Sequence, residues 1–589
     1  MFFHPIYGGN CMAQVTRSRS SSDPNRSKMT GSELLLESLR RQGSDRIFGI
    51  VGREGSSIRF NEIEGMRFFL TRHEVTAGIA AEVCARSTGM PQVCFSTLGP
   101  GATNLATALS SACLDRSPLI AISAQVESFD LYYNHTQQCV DQRRIMEPMC
   151  KYTAEPTKAE EIPRIVQEAY HAAQSEIPGP SFLSIPINLF RQEMAYQRAM
   201  ELLDEFGKAK REPLPEVGTN LVKAAYGLLK SAKRPIAILG NYIIRANAVQ
   251  NLMAFLERFD IPAVNTYTAK GALPFSHPNN VGTVSCYLDG LLSYDCLGSI
   301  FDQTDLVLLL GYDYAEDIRP EMWTGGREKR VLRLSSFPNP IAGFHTDLDI
   351  IGDPRHFFDD LNICQPPSYD SFSTEDFKQR KQDFLSRASD QKGRLLPQQV
   401  INILNKFLDN DSVLISDVGL HRVYTTLFGN VSGYNSFFAS CGCATFGFAL
   451  PASIGAQIIN PDKKVFAVVG DGGFHSGSQD LETLSRFGLP VVIILMKDDN
   501  MGLIRIYENM NAGEANSDTV SFGSVDFVKL AEANNCVGVH VSEAGQLEEQ
   551  IRKALASKRP TVIEIPVVYD YEFRGEHHKK SLGDFIDSK

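Results

Sequence analysis

The chain has 589 residues, 43% hydrophobic and 22% charged, which fits a globular protein long enough for three or four domains. A net charge of −11 gives no basis for binding nucleic acid or an acidic membrane, and no apolar run approaches the roughly 18 residues of a membrane span. The 12 cysteines are scattered, with Cys441-x-Cys443 the only close pair, as expected for structural thiols in a reducing compartment. The cytoplasm is the expected location and a mitochondrion the alternative.

Residues 1–30 hold Arg17, Arg19, Arg26 and Lys28 among many serines, with Asp23 the only acid. The expectation is a disordered leader, with a transit peptide as the alternative. Residues 31–206 alternate strands (Arg46-Ile50, Val93-Thr97, Leu119-Ser123, Ser181-Pro186) with helices. Within them Phe68-Phe69-Leu70 leads to Arg72-His73-Glu74. Ala77, Ala80, Ala81, Cys84 and Ala85 then recur at helical spacing, so Glu74 opens a buried helix. A carboxylate there also suits the helix dipole.

The charged, proline-containing stretch 207–215 reads as a linker. A second α/β domain spans 218–370, with strands Pro235-Leu239, Pro262-Asn265, Leu306-Leu310 and Arg330-Leu334. A polar linker from Cys364 to about Ala388 follows. The third domain covers 390–572. There the β-branched run Val465–Val469 stops at Gly470-Asp471-Gly472-Gly473, helical spacing runs from Gly473 to Arg486, and a second apolar strand runs from Leu489 to Met496. Lys497-Asp498-Asp499-Asn500 ends the unit. Such a β-α-β unit brings Asp471 and Asp498 to the carboxyl ends of adjacent parallel strands, where open α/β sheets bind ligands. Two carboxylates beside glycine amides make a Mg²⁺-diphosphate site. The fold class is α/β, with three doubly wound parallel-sheet domains.

These segments resemble thiamine-diphosphate enzymes of the acetolactate synthase-like family. Gly470-Asp471-Gly472 matches the start of the cofactor signature, while Lys497-Asp498 stands where the family has Asn-Asn. Arg72-His73-Glu74 through Gly89 matches the helix that carries the family's catalytic glutamate, and Phe95–Asn104 matches the next block. The resemblance implies pyrimidine (N-terminal), central and diphosphate (C-terminal) domains. It implies that Glu74 hydrogen-bonds the aminopyrimidine and favours its imino tautomer. Asp471, Asp498 and the backbone carbonyl of Asn500 are the implied Mg²⁺ ligands. Val418, Gly419, Leu420 and His421 are the implied diphosphate loop, with Gly470, Gly472 and Gly473. Phe446 is the implied wedge between the two cofactor rings, and the backbone of Ala444 and Phe446 meets the aminopyrimidine edge. A homodimer or homotetramer is implied, because the two cofactor domains come from different subunits.

For the substrate, Gly311-Tyr312-Asp313-Tyr314-Ala315-Glu316-Asp317-Ile318-Arg319-Pro320 stands where flavin-binding members carry Gly-x-Arg-Phe-Asp-Asp-Arg, so FAD is not expected. Within the family, Val51-Gly52-Arg53-Glu54, Leu114-Asp115-Arg116-Ser117-Pro118, Gly311–Pro320 and Gly470–Ser476 resemble carboxyethylarginine synthases. These join glyceraldehyde 3-phosphate to arginine through an acryloyl unit on the cofactor, losing phosphate and water but no carbon dioxide. Gln137-Gln138-Cys139 departs from their His-Gln-Cys, so an amide replaces an imidazole at Gln137, and His135 stands two residues earlier. Gln137 and Gln138 are the expected catalytic-loop residues, and Tyr287, Asp317 and Arg319 the expected substrate contacts. The alternative is a 2-oxoacid decarboxylase or carboligase of the acetolactate synthase type. A non-catalytic cofactor-binding subunit is disfavoured by intact Glu74, Asp471 and Asp498.

Overall fold

Three six-stranded sheets, each with every strand parallel to its neighbours, organise the computed structural model. The structure describes residues 27–60, 63–133, 136–175, 177–284, 300–316, 329–340, 344–370, 374–387 and 392–569. The first sheet comprises β1 (Arg46–Gly49), β2 (Arg67–Leu70), β3 (Gln92–Ser96), β4 (Leu119–Gln125), β5 (Tyr152–Ala154) and β6 (Ser181–Pro186), in the order β2-β1-β3-β4-β6-β5. Helix α1 (Glu74–Thr88) connects β2 to β3. The central sheet has β7 (Pro235–Leu239), β8 (Ala263–Asn265), β9 (Asn280–Thr283), β10 (Leu306–Leu310), β11 (Arg330–Ser335) and β12 (Leu348–Ile351), in the order β9-β8-β7-β10-β11-β12.

The last sheet has β13 (Ser412–Ser416), β14 (Phe437–Ala439), β15 (Lys464–Gly470), β16 (Val492–Lys497), β17 (Val537–His540) and β18 (Thr561–Pro566). Its order, β14-β13-β15-β16-β18-β17, repeats that of the first sheet strand for strand. Its helices include α2 (Leu420–Phe428), α3 (Ala449–Ile459), α4 (Asp471–Gly477), α5 (Asp480–Phe487) and α6 (Gly502–Ala512). Val465–Val469 is buried throughout, because helices cover both faces of a parallel sheet and leave its inner strands no polar side.

Helix α1 of the first domain packs on α3 of the last. A Cβ at Gly455 would lie 2.2 Å from Ala80 O, and one at Gly78 would lie 2.3 Å from the Cβ of Ala108. Ala77, Ala80, Ala81 and Cys84 therefore share one apolar cluster with Ala452, Ile454, Val465 and Ile493. The small residues of α1 serve this close approach.

The structure differs from the sequence reading in three places. Lys28–Thr30, read as the end of the leader, is a strand paired antiparallel with Glu193–Ala195; Met29 is buried, and Thr30 caps the next helix by accepting from Glu33 N. The helix expected over Gly473–Arg486 is two helices, α4 and α5, divided at Ser478-Gln479, just after Gly477, a weak helix former. The second linker contains a helix, Thr374–Leu385, held by buried Phe377, Phe384 and Leu385. Among the described residues no helix is long and apolar enough to cross a membrane.

Candidate active site

The strand order reverses between β13 and β15 in the last sheet, and the loops after these two strands meet there, as ligand-binding loops do in doubly wound sheets. Asp417, just after β13, is fully buried. Its carboxylate accepts from Val418 N at 2.7 Å, Gly447 N at 2.9 Å and Ala449 N at 2.9 Å. Burial pushes its pKa up to about 6, against the pull of those amides. Asp417 thus ties the loop after β13 to the loop bearing Ala444 and Phe446.

Gly419 and Gly470 flank His421 at the start of α2. A Cβ on Gly419 would be 2.7 Å from His421 Cε1, and one on Gly470 would be 2.9 Å from Nδ1. Gly419 also has φ +149°, outside the usual range of L side chains. Burial, with help from Arg422, lowers the His421 pKa to about 3, so the ring is neutral. Its Nε2 is buried without a hydrogen-bond partner among the described residues.

Beyond β15, Asp471 Oδ1 accepts from Gly472 N at 2.8 Å, and its Oδ2 accepts from Asp498 N at 3.0 Å and Asp499 N at 2.6 Å. The register Gly470↔Met496 between β15 and β16 brings these residues together. Burial raises the Asp471 pKa. Burial and the Asp471 charge push Asp498 up to about 7. Asp498 Oδ2 is buried without a hydrogen bond among the described residues. Arg505 on α6 places its Nη2 3.6 Å from that oxygen, a cation that the sequence reading missed. The Asn500 side chain is engaged at both ends: Nδ2 donates to Asp498 O at 2.6 Å, and Oδ1 accepts from Ser521 Oγ at 3.0 Å. Its backbone carbonyl is the group left clear of these contacts.

Phe446 is 42% exposed. A Cβ on Gly472 would lie 3.0 Å from its Cζ, 3.4 Å from Met501 Sδ and 3.5 Å from the Cζ of Phe522. Three apolar side chains therefore gather over the Gly472 cradle. Ala444, at φ +52°, holds a conformation unusual for an L residue.

The first sheet reverses between β1 and β3, and a second cluster forms there. Glu74 is 7% exposed at the first position of α1, behind the His73 N-cap. Asn104 Nδ2 donates to Glu74 Oε2 at 2.9 Å. A Cβ on Gly101 would be 3.2 Å from Glu74 Oε1. The neighbouring Gly99 turn packs against the backbone of Gln138, which has φ +65°. Gln137 and Gln138 are exposed beside this turn. Buried Gln142 fixes it by accepting from Gly99 N at 3.1 Å and donating to Ala124 O at 2.8 Å. Asn104 and Gln142 carry no signal in a single sequence. His135, Tyr287, Asp317 and Arg319 lie outside the described residues.

The last-domain cluster fits a metal-bound diphosphate. It offers hard oxygen donors, two buried polar atoms that make no hydrogen bond among the described residues, and glycines whose added Cβ would press on neighbouring side chains. Among the described residues no group of three His, Cys, Asp or Glu side chains is placed to hold a metal by itself. Diphosphate oxygens would thus complete the coordination.

Comparison with known proteins agrees. Residues 29–145 match the N-terminal TPP binding domain of thiamine pyrophosphate enzymes, residues 222–361 their central domain, and residues 417–565 their C-terminal TPP binding domain. The chain is 31% identical over 572 residues to the acetolactate synthase large subunit of Corynebacterium glutamicum, covering 94% of this chain and 89% of that one. It is 30% identical over 561 residues to the acetolactate synthase of Mycobacterium bovis (92% and 88% covered), and 27% over 592 residues to that of Bacillus subtilis (98% and 100%). The chain belongs to the thiamine pyrophosphate enzyme family.

Proposed function

We propose that the protein is a thiamine-diphosphate- and Mg²⁺-dependent carboligase of the acetolactate synthase type, taking a small 2-oxoacid as donor. The observation that carries this reading is the similarity to acetolactate synthases along nearly the whole of both chains. When bound, the cofactor supplies a thiazolium carbon that adds to a carbonyl and then holds the electron pair.

The chain's own residues do the rest. Asp471, Asp498 and the Asn500 carbonyl would hold Mg²⁺. Arg505 offsets the negative charge that Asp498 adds relative to an asparagine. Phe446, exposed over the Gly472 cradle, would support the bound cofactor. Glu74, oriented by Asn104, holds a proton at the far pyrimidine nitrogen. Gln137 and Gln138 orient the substrate by hydrogen bonds, and neither carries a proton near neutrality. Glu74 hydrogen-bonds within its own domain, and Phe446 stands half exposed. A second copy of the chain completes each site in this reading, giving a homodimer or homotetramer.

A second reading is favoured by the block after β10. Asp313 there is buried and ion-paired at 3.0 Å with Arg116 of the first domain. The block braces two domains where flavin-binding members have their flavin motif. This observation favours a carboxyethylarginine synthase-like transferase, using glyceraldehyde 3-phosphate and arginine, while Gln137 departs from the histidine of those enzymes. Two incubations separate the readings. Carbon dioxide and acetolactate from pyruvate support the carboligase. Inorganic phosphate from glyceraldehyde 3-phosphate, with a product of the mass of carboxyethylarginine, supports the transferase and overturns the carboligase.

A further inference from the structure

We propose that Asp115 of the first domain is a positioning residue, which acts through the loop 440–446 of the last domain to hold the backbone of Ala444 and Phe446 in the conformation that meets the cofactor's aminopyrimidine. This role presupposes the thiamine-diphosphate chemistry proposed for the site. Asp115 follows the helix Ala106–Leu114 and is 4% exposed. Its Oδ1 accepts from Gly442 N at 2.7 Å and from Cys441 N at 3.2 Å, and its Oδ2 lies 3.3 Å from the same Cys441 N. Gly442 permits this approach, since a Cβ there would lie 2.6 Å from the Leu114 Cβ and 3.0 Å from Leu114 O. Arg86 of α1 holds the residue at which the loop begins. Its Nη1 donates to Ala439 O, at the end of β14, at 3.0 Å, and its guanidinium lies 5.3 Å from the centre of the Phe438 ring.

The loop is therefore clamped at both ends by buried carboxylates from different domains. Asp115 takes the amides at its entry, and Asp417 takes those of Gly447 and Ala449 at its exit. Across the loop, Ser440 Oγ accepts from Thr445 N at 2.9 Å. Between the clamps Ala444 has φ +52°. An alanine keeps left-handed backbone only where its surroundings over-determine it. The bonds to Asp115 and Asp417 supply that constraint, and Ala444 and Phe446 lie between them.

A buried ionic cluster is a poor source of stability, because desolvation offsets the attraction. This one is organised around the loop instead. Glu82 of α1 is fully buried. Its Oε1 accepts from Ser117 Oγ at 3.2 Å, and its Oε2 makes no hydrogen bond among the described residues. Burial and the Asp115 charge push Glu82 up to about 8, so it carries its proton at neutral pH. Burial raises Asp115 as well, but Arg86, the two loop amides and Arg422 pull the other way and hold the negative charge there. Amide hydrogen bonds to a charged carboxylate are stronger than those to a neutral oxygen. Arg422 follows His421 on α2 and donates from Nη1 to Ser440 O at 3.3 Å. The charge on Asp115 is thus compensated from both domains, at the base of the loop itself.

The test uses the intact protein saturated with thiamine diphosphate and Mg²⁺, with exchange of the thiazolium proton for deuterium counted per bound cofactor. Asp115→Ala and, with no change of charge, Gly442→Ala should each slow that exchange at least about tenfold, since a misplacement of about 1 Å can cost about 100-fold. Cofactor affinity should change by less than about threefold, because the Asp471 and Asp498 ligands lie outside the loop. The near-ultraviolet circular dichroism of the bound aminopyrimidine should change along with the exchange rate. Asp115→Asn keeps an oxygen for Gly442 N and should bring exchange back to within about threefold of the parent. A purely structural role lowers the denaturation midpoint and the folded fraction but leaves exchange per bound cofactor unchanged, and that result overturns the positioning role. Asp115→Asn as slow as Asp115→Ala overturns it too. Should Asp115→Ala not fold, Gly442→Ala decides alone. A parent that binds no cofactor overturns the proposed function together with this role, whereas unchanged exchange in folded variants of a competent parent overturns this role only.

Discussion

Thr76 Oγ1 lies 2.8 and 2.9 Å from the two carboxylate oxygens of Asp480, which joins α1 of the first domain to α5 of the last, two residues from Glu74. Both residues are buried. Burial pushes the Asp480 pKa from 3.8 up to about 7, against the pull of Thr76. A carboxyl whose folded pKa is raised binds its proton more tightly in the folded state. Its contribution to stability is therefore best below 3.8 and declines as pH rises towards about 7. Asp480→Asn keeps an acceptor for Thr76 and removes the titration. The difference in Tm between the variant and the parent should grow in the variant's favour from pH 4 to pH 7 and then level off. A flat difference measured by thermal denaturation refutes the assignment.

Asp471→Ala removes a hard-cation ligand and the acceptor of three backbone amides. Retention of Mg²⁺ and thiamine diphosphate through gel filtration should fall at least about 100-fold, since even outer-shell partners of a metal contribute 10–100-fold. Chelation of Mg²⁺ from the parent should have the same effect. Cofactor quantified in the eluted protein decides this.

Glu74→Gln leaves the last-domain cluster untouched, so the cofactor should still bind. Exchange of the thiazolium proton for deuterium should slow by at least about 100-fold, because glutamine cannot stabilise the imino tautomer. Exchange followed by NMR after acid quench reads this directly, and an unchanged rate removes Glu74 from that role.

Gly455→Ala places a Cβ about 2.2 Å from Ala80 O. The α1–α3 contact is backbone against backbone, with no flexible side chain to yield. The cost should be roughly 1–3 kcal/mol or more, seen as a lowered denaturation midpoint. The same change at exposed Gly218, where a Cβ meets nothing within 4 Å, should be close to neutral.

Much of this architecture is legible in the sequence, for reasons the structure makes plain. Val465–Val469 and Leu306–Leu310 are inner strands buried on both faces, so their apolar runs are continuous. Edge strands such as Val537–His540 and Leu348–Ile351 are partly exposed and mix polar with apolar residues, so no period marks them. The Asp471–Asp498 pairing follows from a β-α-β unit. The roles of Asp417 and Asn104 depend on loops meeting from separate parts of the chain, which spacing does not encode, and that of Arg505 depends on how α6 turns back on Asp498 seven residues earlier. The break between α4 and α5 escapes notice because apolar periodicity continues across Ser478-Gln479.

The apolar cluster shared by α1, α3 and the strands of both outer sheets has a consequence for cooperativity. The central domain keeps its own two clusters, around Phe255 and Ile238. The outer domains, distant in sequence, should therefore melt as one unit, while the central domain is free to melt as another. Cutting the chain in the 207–215 linker would leave the Ala80 face of α1 without α3. The isolated first domain should then aggregate, although it holds a complete six-stranded sheet. The unit that folds is set by this contact and not by the order of residues along the chain.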